Sequence, residues 1–431
     1  MYCHWAEVAT RTGVTFPHAR PVVASVMKND RARVRRAAAV AVAVLALVAG
    51  LAGCGAGDGP GDDPAGGGGP GGPVRISITP SDGSVEVGPD RRLEVRVERG
   101  RLESVKVVRV RDAREEPVPG ELSGDGRRWR PVDGALALAA KYTVDAVASD
   151  GERRAARHAS FTTVVPQERF IGYVTPENRA TVGTGMIVSL EFSREITDRA
   201  AVERAVRVTA EPEVPVAGHW FGRDRLDFRP ERYWRPGTEV TVDLALRDVE
   251  GAPGVFGLQR KAFTFTVGRS QVSTVDAAAH TMRVVREGEE PAVVPVTAGA
   301  PGTPTYNGKM VVTEMLDVTR MDGSTVGFGG EYDIPDVPHA IRLSRSGTFL
   351  HGNYWADTSV FGHGNVSHGC IGLRDVKGGG RATPARWFYD RSLIGDVVEV
   401  VNSDDRTVAP DNGLGGWNLD WRAWRAGSAL R

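Results

Sequence analysis

One stretch of the sequence, residues 349–374, collects the side chains that could do chemistry. It reads FLHGNYWADTSVFGHGNVSHGCIGLR and contains His351, His363 and His368 together with Cys370. A thiol becomes a strong nucleophile when a nearby base removes its proton, and imidazole most often serves as that base. The residue types therefore predict a cysteine nucleophile, with His351 and His368 as candidate bases.

The spacing leaves the choice of base open. His368 stands two positions before Cys370, so both side chains project from one face if the segment is extended. His351 ends an apolar run that reads as a strand, and it could meet Cys370 across neighbouring strands. The backbone amides of Gly369 and Cys370 are the candidate oxyanion-hole donors, because a glycine leaves its N–H open to a substrate.

The cysteine count supports a reactive role for Cys370. We expect the chain to start at Met27, beyond Cys3, with a cationic stretch and then an apolar run of 15 residues at 37–51. Such a run is too short to span a bilayer and predicts a secretory signal. Residues 51–54, Leu-Ala-Gly-Cys, resemble the lipobox of bacterial lipoproteins, which implies lipidation of Cys54; the alternative is an ordinary signal peptide. Cys370 is then the free thiol of the exported protein, which favours chemistry over packing.

The chain that must position these residues is predicted to be mainly β. After residues 1–54, a Gly- and Pro-rich stretch at 55–73 predicts a flexible linker. Short runs of alternating apolar residues then repeat at an offset of about 100 residues, which predicts two tandem immunoglobulin-like β-sandwiches at 74–165 and 166–268. A β-rich third domain at 269–402 carries the cysteine.

Composition and motifs exclude several other functions. Lys plus Arg equals Asp plus Glu, 54 each, so no net charge attracts nucleic acid. No glycine-rich phosphate motif occurs between residues 270 and 400. A zinc site made of the three histidines and Cys370 is an alternative whose spacing matches no known zinc pattern. The aromatic pairs at 219–221 and 233–234 predict packing more than a carbohydrate platform.

The sequence SHGC at 367–370, preceded by a His-Gly pair on a strand, resembles the catalytic domain of the L,D-transpeptidases, the YkuD-type family. The two sandwiches resemble the immunoglobulin-like modules of actinobacterial members. This resemblance implies that Cys370 is the nucleophile and His351 the base, oriented by the carbonyl of Gly352, with Ser367 and His368 shaping the site. It also implies that the substrate is bound by Met321, Tyr332, Asn353 and Trp355.

The same resemblance implies a reaction, partners and a location. Cys370 would attack the third-position diamino acid of a peptidoglycan donor tetrapeptide, release D-Ala, and pass the acyl group to the amine of an acceptor stem. No metal or cofactor is implied, carbapenem-type β-lactams are the expected inhibitors, and the protein would face the cell wall from the outer side of the cytoplasmic membrane. Two alternatives stay open: an L,D-carboxypeptidase, in which water is the acceptor, and a non-catalytic cell-wall binding lipoprotein.

Three further expectations concern particular residues. Gly372 stands where the family carries Asn or Arg, so the role of that side chain is predicted to be missing here or to be taken by Arg374. The segment 403–431 spaces Trp417, Trp421 and Trp424 at helical intervals and is expected to dock on the catalytic domain. A reactive Cys370 is expected to be alkylated below the pH at which a free thiol, with a pKa of about 8.5, reacts.

Overall fold

The apolar alternation that begins at residue 74 builds the first strands. A computed structural model describes residues 72–430. The predicted signal segment, the lipobox cysteine Cys54 and most of the linker lie outside the described residues. The first strand buries Ile76 and Ile78 and exposes Ser77 and Thr79, as a strand with one face on a core must.

The first sandwich consists of two four-stranded sheets, in the orders β1-β2-β6-β5 and β4-β3-β7-β8. Their inner faces enclose one apolar core, in which the rings of Tyr142 and Phe161 stack at 5.0 Å. The strands are β1 (Ile76–Thr79), β2 (Glu94–Val97), β3 (Arg101–Arg111), β4 (Arg114–Pro117), β5 (Gly120–Leu122), β6 (Arg128–Pro131), β7 (Lys141–Ser149) and β8 (Arg154–Thr162).

The second sandwich pairs the sheets β10-β12-β15-β14 and β11-β19-β16-β13, beside a small sheet β17-β18-β9. Asp198 caps its one described helix, α1 (Arg199–Arg204), by accepting from the backbone N–H of Ala201. The strands are β9 (Glu168–Phe170), β10 (Gly172–Thr175), β11 (Thr181–Val182), β12 (Val188–Phe192), β13 (Val206–Glu211), β14 (Val216–Phe221), β15 (Arg225–Pro230), β16 (Glu239–Ala245), β17 (Glu250–Ala252), β18 (Val255–Gly257) and β19 (Arg260–Val267).

A nine-stranded mixed sheet follows, in the order β23-β28-β20-β21-β22-β27-β26-β25-β24. Helix α2 (Pro384–Tyr389) begins after Thr383, whose hydroxyl caps it, and buries Phe388 in the core of this sheet. The strands are β20 (Gln271–Asp276), β21 (Thr281–Arg286), β22 (Ala292–Thr297), β23 (Gly308–Val311), β24 (Glu314–Asp322), β25 (Asp333–Arg342), β26 (Phe349–Asn353), β27 (Ile371–Arg374) and β28 (Val397–Val401). Short 3₁₀ turns occur at Gly323–Val326, Thr358–Val360 and Gly415–Asn418.

The tryptophan-rich C-terminal segment packs on the second sandwich as well as on the catalytic domain, a second contact that the predicted docking did not include. Trp424, in helix α3 (Trp421–Ala426), is fully buried in the core of that sandwich and donates its indole N–H to the carbonyl of Ala217 at 2.9 Å. The guanidinium of Arg229 lies over the rings of Trp417, Trp421 and Trp424. A cation among three aromatic faces gives the segment a partner that helical spacing alone did not indicate.

Contacts to the catalytic domain are both apolar and polar: Val408 lies in the core of its sheet, and Asn307 forms a β-bridge with Thr407. The amide oxygen of Asn418 accepts from the backbone N–H of Lys309 at 2.8 Å, and the amide donates to the carbonyl of the same residue. The mainly β fold class is confirmed, whereas the domain boundaries remain predictions. Among the described residues, no helix is long and apolar enough to cross a membrane.

Candidate active site

The cysteine and the first candidate base lie on neighbouring parallel strands. Strand β26 pairs with β27 so that His351 is opposite Gly372 and Leu350 is opposite Ile371. Continuing this register by one residue sets Cys370, which immediately precedes β27, beside Phe349. Because side chains alternate between the two faces of a sheet, His351 and Cys370 share one face. The two residues thus lie on neighbouring strands, as the cross-strand arrangement considered from the sequence requires.

His351 is held as a neutral imidazole. Its Nδ1 is 3.0 Å from the carbonyl oxygen of Gly352, which can only accept, so Nδ1 carries the proton and Nε2 is left as the basic nitrogen. The side chain is buried, and burial lowers its pKa to about 4, more than the bond to Gly352 raises it. The ring stacks on Trp355 with centroids 5.4 Å apart. A neutral, oriented imidazole at pH 7 is what a general base requires.

The lowered pKa of His351 predicts acid sensitivity. The pKa is about 4 in the folded state against 6.5 for the model group, so stability present above pH about 6.5 is lost as the pH falls toward 4. Between pH 7 and pH 5 this linkage amounts to about 2 kcal/mol of unfolding free energy. Urea unfolding at both pH values should show this loss in the wild type and a smaller one in His351→Gln. Equal losses in both proteins would contradict the prediction.

Cys370 is a protonated thiol at rest. Burial raises its pKa to about 11, against the opposing effects of the Phe349 backbone N–H and the Arg342 charge. The thiol donates to the carbonyl of Gly347 at 3.6 Å. The raised pKa argues against alkylation at unusually low pH in the resting protein, because burial outweighs the groups that favour the thiolate. The proton must instead be removed as the nucleophile attacks.

His368 contacts the hairpin formed by β24 and β25. Its Nε2 lies 3.1 Å from a carboxylate oxygen of Glu331, and its ring lies 4.9 Å from that of Tyr332 and 5.3 Å from that of Phe328. Burial raises the pKa of Tyr332 to about 12, and the charge of Cys370 contributes next. The tyrosine predicted on a lid thus lies near the thiol.

Met321 belongs to the same hairpin. It pairs with Ile334 after an irregularity in the β24–β25 register. The structure therefore brings Tyr332 and His368 together, stacks Trp355 on His351, and places Met321 at the end of strand β24 in the same hairpin as Tyr332.

The turn before the cysteine is held by Ser367. Its hydroxyl donates to the carbonyl of Cys370 at 2.5 Å and accepts from the backbone N–H of Gly369 at 3.2 Å. Gly369 has φ +109°, a conformation that other residues rarely adopt, and an added Cβ would meet no atom closer than 3.8 Å. One of the two predicted oxyanion donors, the Gly369 amide, is thus engaged by Ser367 in this state.

Asn353 serves the loop after β26. It is buried, and its amide oxygen accepts from the backbone N–H groups of Trp355 and Ala356 at 3.3 and 3.0 Å. Its side chain therefore holds the loop that carries Trp355, where the sequence suggested contact with substrate.

Gly372 fills a place with no room for a side chain. An ideal Cβ there would lie 2.9 Å from Cγ2 of Thr297 and 3.2 Å from Nδ2 of Asn353. The Asn or Arg expected from the family resemblance does not fit this packing, because Asn353 and Thr297 occupy the space.

Restoring that residue is therefore predicted to harm the protein. We expect Gly372→Asn to lower the unfolding free energy by about 1–3 kcal/mol through overpacking. Thermal or urea unfolding of the purified variant measures this, with Gly364→Asn in the same connection as control, since an added Cβ there meets nothing within 4 Å. A Gly372→Asn variant as stable as the wild type would contradict the steric argument.

Two groups of residues beside the site were not identified from the sequence. Asp375 and His339 form a buried pair, with Oδ2 and Nδ1 2.6 Å apart. The guanidinium of Arg342 lies 4.4 Å from the Phe349 ring centroid and donates to Glu314. Local sequence patterns could not predict the Asp375–His339 pair, because 36 residues separate the two side chains. Among residues 72–430 no three His, Cys, Asp or Glu side chains are grouped as metal ligands, so the zinc alternative finds no ligand cluster there.

These features define a class of protein: immunoglobulin-like sandwiches joined to a β-rich catalytic domain with a cysteine and a buried histidine on adjacent parallel strands. Residues 84–250 match the family model of a bacterial Ig domain, and residues 270–400 match that of the L,D-transpeptidase catalytic domain. With a relative 34% identical over most of its length, the chain belongs to the L,D-transpeptidase family. The resemblance seen in the sequence is confirmed.

That relative is L,D-transpeptidase 2 of Mycobacterium tuberculosis (strain CDC 1551 / Oshkosh), aligned over 82% of this chain and 85% of its own length. L,D-transpeptidase 5 of M. tuberculosis (strain ATCC 25618 / H37Rv) is 29% identical over 83% of this chain and 77% of its own. Among solved structures, that of LdtMt1 in complex with imipenem is 29% identical and covers 55% of this chain and all of its own, with a TM-score of 0.46.

Proposed function

We propose that this protein is a peptidoglycan L,D-transpeptidase that works through an acyl-enzyme on Cys370. Its family membership supports the reaction class, and one observation carries the assignment of residues. His351 is a buried, neutral imidazole whose Nδ1–H is bound by the Gly352 carbonyl, and it lies on the same face of adjacent strands as the thiol.

In the first half-reaction, Nε2 of His351 takes the thiol proton as the sulfur of Cys370 bonds to the carbonyl carbon of the third donor residue. The backbone N–H of Cys370 stabilises the oxyanion that forms, joined by that of Gly369 when Ser367 releases it. Collapse of the tetrahedral intermediate breaks the bond to D-Ala, whose amine takes the proton from Nε2. A thioester remains on Cys370.

In the second half-reaction, the side-chain amine of an acceptor stem attacks the thioester. His351 accepts the proton of the amine and returns it to the departing sulfur, so that the cross-link forms and the thiol is restored. We assign the two stems to the surfaces formed by the hairpin that carries Tyr332 and Met321 and by Trp355, which stacks on His351.

The same thiol is the proposed target of carbapenems. One relative of known structure is described in complex with imipenem. Nucleophilic opening of a β-lactam ring leaves an acyl-enzyme that needs the same base and oxyanion donors as the peptide reaction.

The test is to incubate residues 55–431 with purified disaccharide-tetrapeptide and to follow the products by mass spectrometry. Cross-linked dimers that have lost one D-Ala are expected. Tripeptide without dimer would identify the carboxypeptidase alternative. The absence of both products at every enzyme level would overturn the enzymatic proposal and favour the binding lipoprotein.

We further propose that the protein is exported and anchored to the outer face of the membrane through lipid on Cys54. The support is sequence alone: a cationic stretch, an apolar run and the lipobox-like residues 51–54. Metabolic labelling with a fatty acid should mark the wild type and fail to mark Cys54→Ala. Equal labelling of both proteins would contradict the anchor.

A further inference from the structure

A buried acid–base pair lies directly behind the residue that orients the proposed base. The carboxylate of Asp375 and the imidazole of His339 are 2.6 Å apart, and both side chains are almost fully buried. His339 belongs to β25, whereas Asp375 follows β27, so the pair ties together strands on either side of β26. The proposed mechanism gives neither residue a role.

Asp375 also packs against the backbone at Gly352. An ideal Cβ on Gly352 would lie 2.3 Å from Oδ2 of Asp375, so the carboxylate rests on the face where any other residue would have a side chain. The backbone N–H of Asp375 donates to the carbonyl of Asn353 at 3.2 Å. The Gly352 carbonyl, which binds Nδ1 of His351 at 3.0 Å, lies between these two contacts.

The loop after β27 is shaped around the same carboxylate. The other oxygen of Asp375 accepts from the backbone N–H groups of Val376 and Gly380 at 2.8 and 2.9 Å. Gly379 has φ +77°, and a Cβ there would lie 3.0 Å from the His339 ring. The glycine-rich loop at residues 378–380 thus packs against the pair.

His339 has an unfavourable backbone conformation that surrounding contacts must stabilise. Its φ is +50°, in the left-handed region that a non-glycine residue rarely adopts. Such a conformation persists when surrounding contacts over-determine it, and it occurs preferentially at functional sites. Here the bond to Asp375 and the ring of Tyr389, 5.4 Å away, provide that support.

We propose that Asp375 and His339 are a positioning pair that fixes the Gly352 carbonyl, and through it the tautomer and orientation of His351. A catalytic histidine is often hydrogen-bonded directly by a carboxylate. Here the carboxylate of Asp375 acts on His351 indirectly, through the backbone of Gly352. The kinetic part of this inference rests on the proposed function, while the state of His351 can be measured without substrate.

The test uses Asp375→Asn and His339→Ala in the full exported chain, with two readouts. The rate constant for acylation by a carbapenem should fall on the order of tenfold to a hundredfold, with little change in the concentration for half-saturation. Long-range ¹H–¹⁵N NMR of the histidine side chains should show a single His351 tautomer, with Nδ1 protonated, in the wild type and a mixture in the variants. His339→Asn, an amide that tolerates positive φ and can still donate to Asp375, should recover part of the rate.

Asp396→Asn is the matched control. Asp396 is another buried acid of the catalytic domain; it pairs with Arg269 at 2.6 Å and accepts from the backbone N–H of Leu393 at 2.8 Å. Its variant should lose stability yet keep the wild-type tautomer and acylation rate.

A folded Asp375→Asn or His339→Ala protein with the wild-type tautomer and acylation rate would overturn the inference. If Asp375→Asn does not fold, the two His339 variants, which leave the carboxylate in place, decide the matter. A wild type that forms no transfer product would overturn the proposed function, but a single Nδ1–H tautomer lost in the variants would still support the pair.

Discussion

Replacing Cys370 by Ala is expected to abolish acyl-enzyme formation completely. The wild type incubated with imipenem should gain the mass of the drug, while Cys370→Ala should gain none, because no other cysteine occurs among the described residues. Intact-protein mass spectrometry measures this directly. Folding should be retained, since the hydrogen bond that the thiol donates, to the carbonyl of Gly347 at 3.6 Å, is weak.

The matched variant is Cys370→Ser, which keeps the size of the side chain. A hydroxyl is a far weaker nucleophile than a thiol, so any adduct should form orders of magnitude more slowly. Near-identical circular dichroism of the two variants and the wild type excludes unfolding as the cause. An adduct on Cys370→Ala would show that another residue is the nucleophile.

Replacing His351 is expected to slow acylation by about 10²- to 10⁴-fold, the usual contribution of a general base. The effect should be large because the resting thiol has a pKa of about 11, so almost no thiolate exists at pH 7 without assistance. We choose His351→Asn, a smaller polar side chain, and measure the acylation rate against pH. In the variant, the remaining rate should rise steeply with pH as hydroxide forms the thiolate.

His368→Asn separates the two histidines that the sequence left as candidates. His368 is partly exposed and is held by Glu331 and the lid aromatics, so its loss should loosen the hairpin and raise the concentration for half-saturation. It should leave the limiting acylation rate within about tenfold of the wild type. The reverse ranking of the two variants would make His368 the base.

The sequence was sufficient to predict the fold class because period-two apolar patterns are local. Ile76 and Ile78 face the core and Ser77 faces solvent as the alternation requires. The pairing of His351 with the carbonyl of its neighbour Gly352 was also accessible, because it involves adjacent residues and a strong family resemblance.

The features that could not be predicted from the sequence depend on tertiary context. The protonated state of Cys370 follows from burial, which residue identity does not reveal. The partner of Trp424 lies across the fold at Ala217, and the contact between Asp375 and Gly352 joins residues from two strands. Helical spacing of tryptophans indicated a buried stripe correctly, yet it could not say which domain provides the other side.

The packing of Trp424 in the core of the second sandwich has a consequence for the order in which the domains fold. Its side chain is part of the same apolar cluster as Phe192 and Trp220, more than 200 residues earlier in the chain. That core is complete only once Trp424 has been synthesised, so full packing of the middle domain depends on a segment that follows the whole catalytic sheet in the chain. Contacts of such long sequence separation form slowly, and the loss of a few terminal residues would leave an earlier domain with an open core while the catalytic sheet keeps all of its strands.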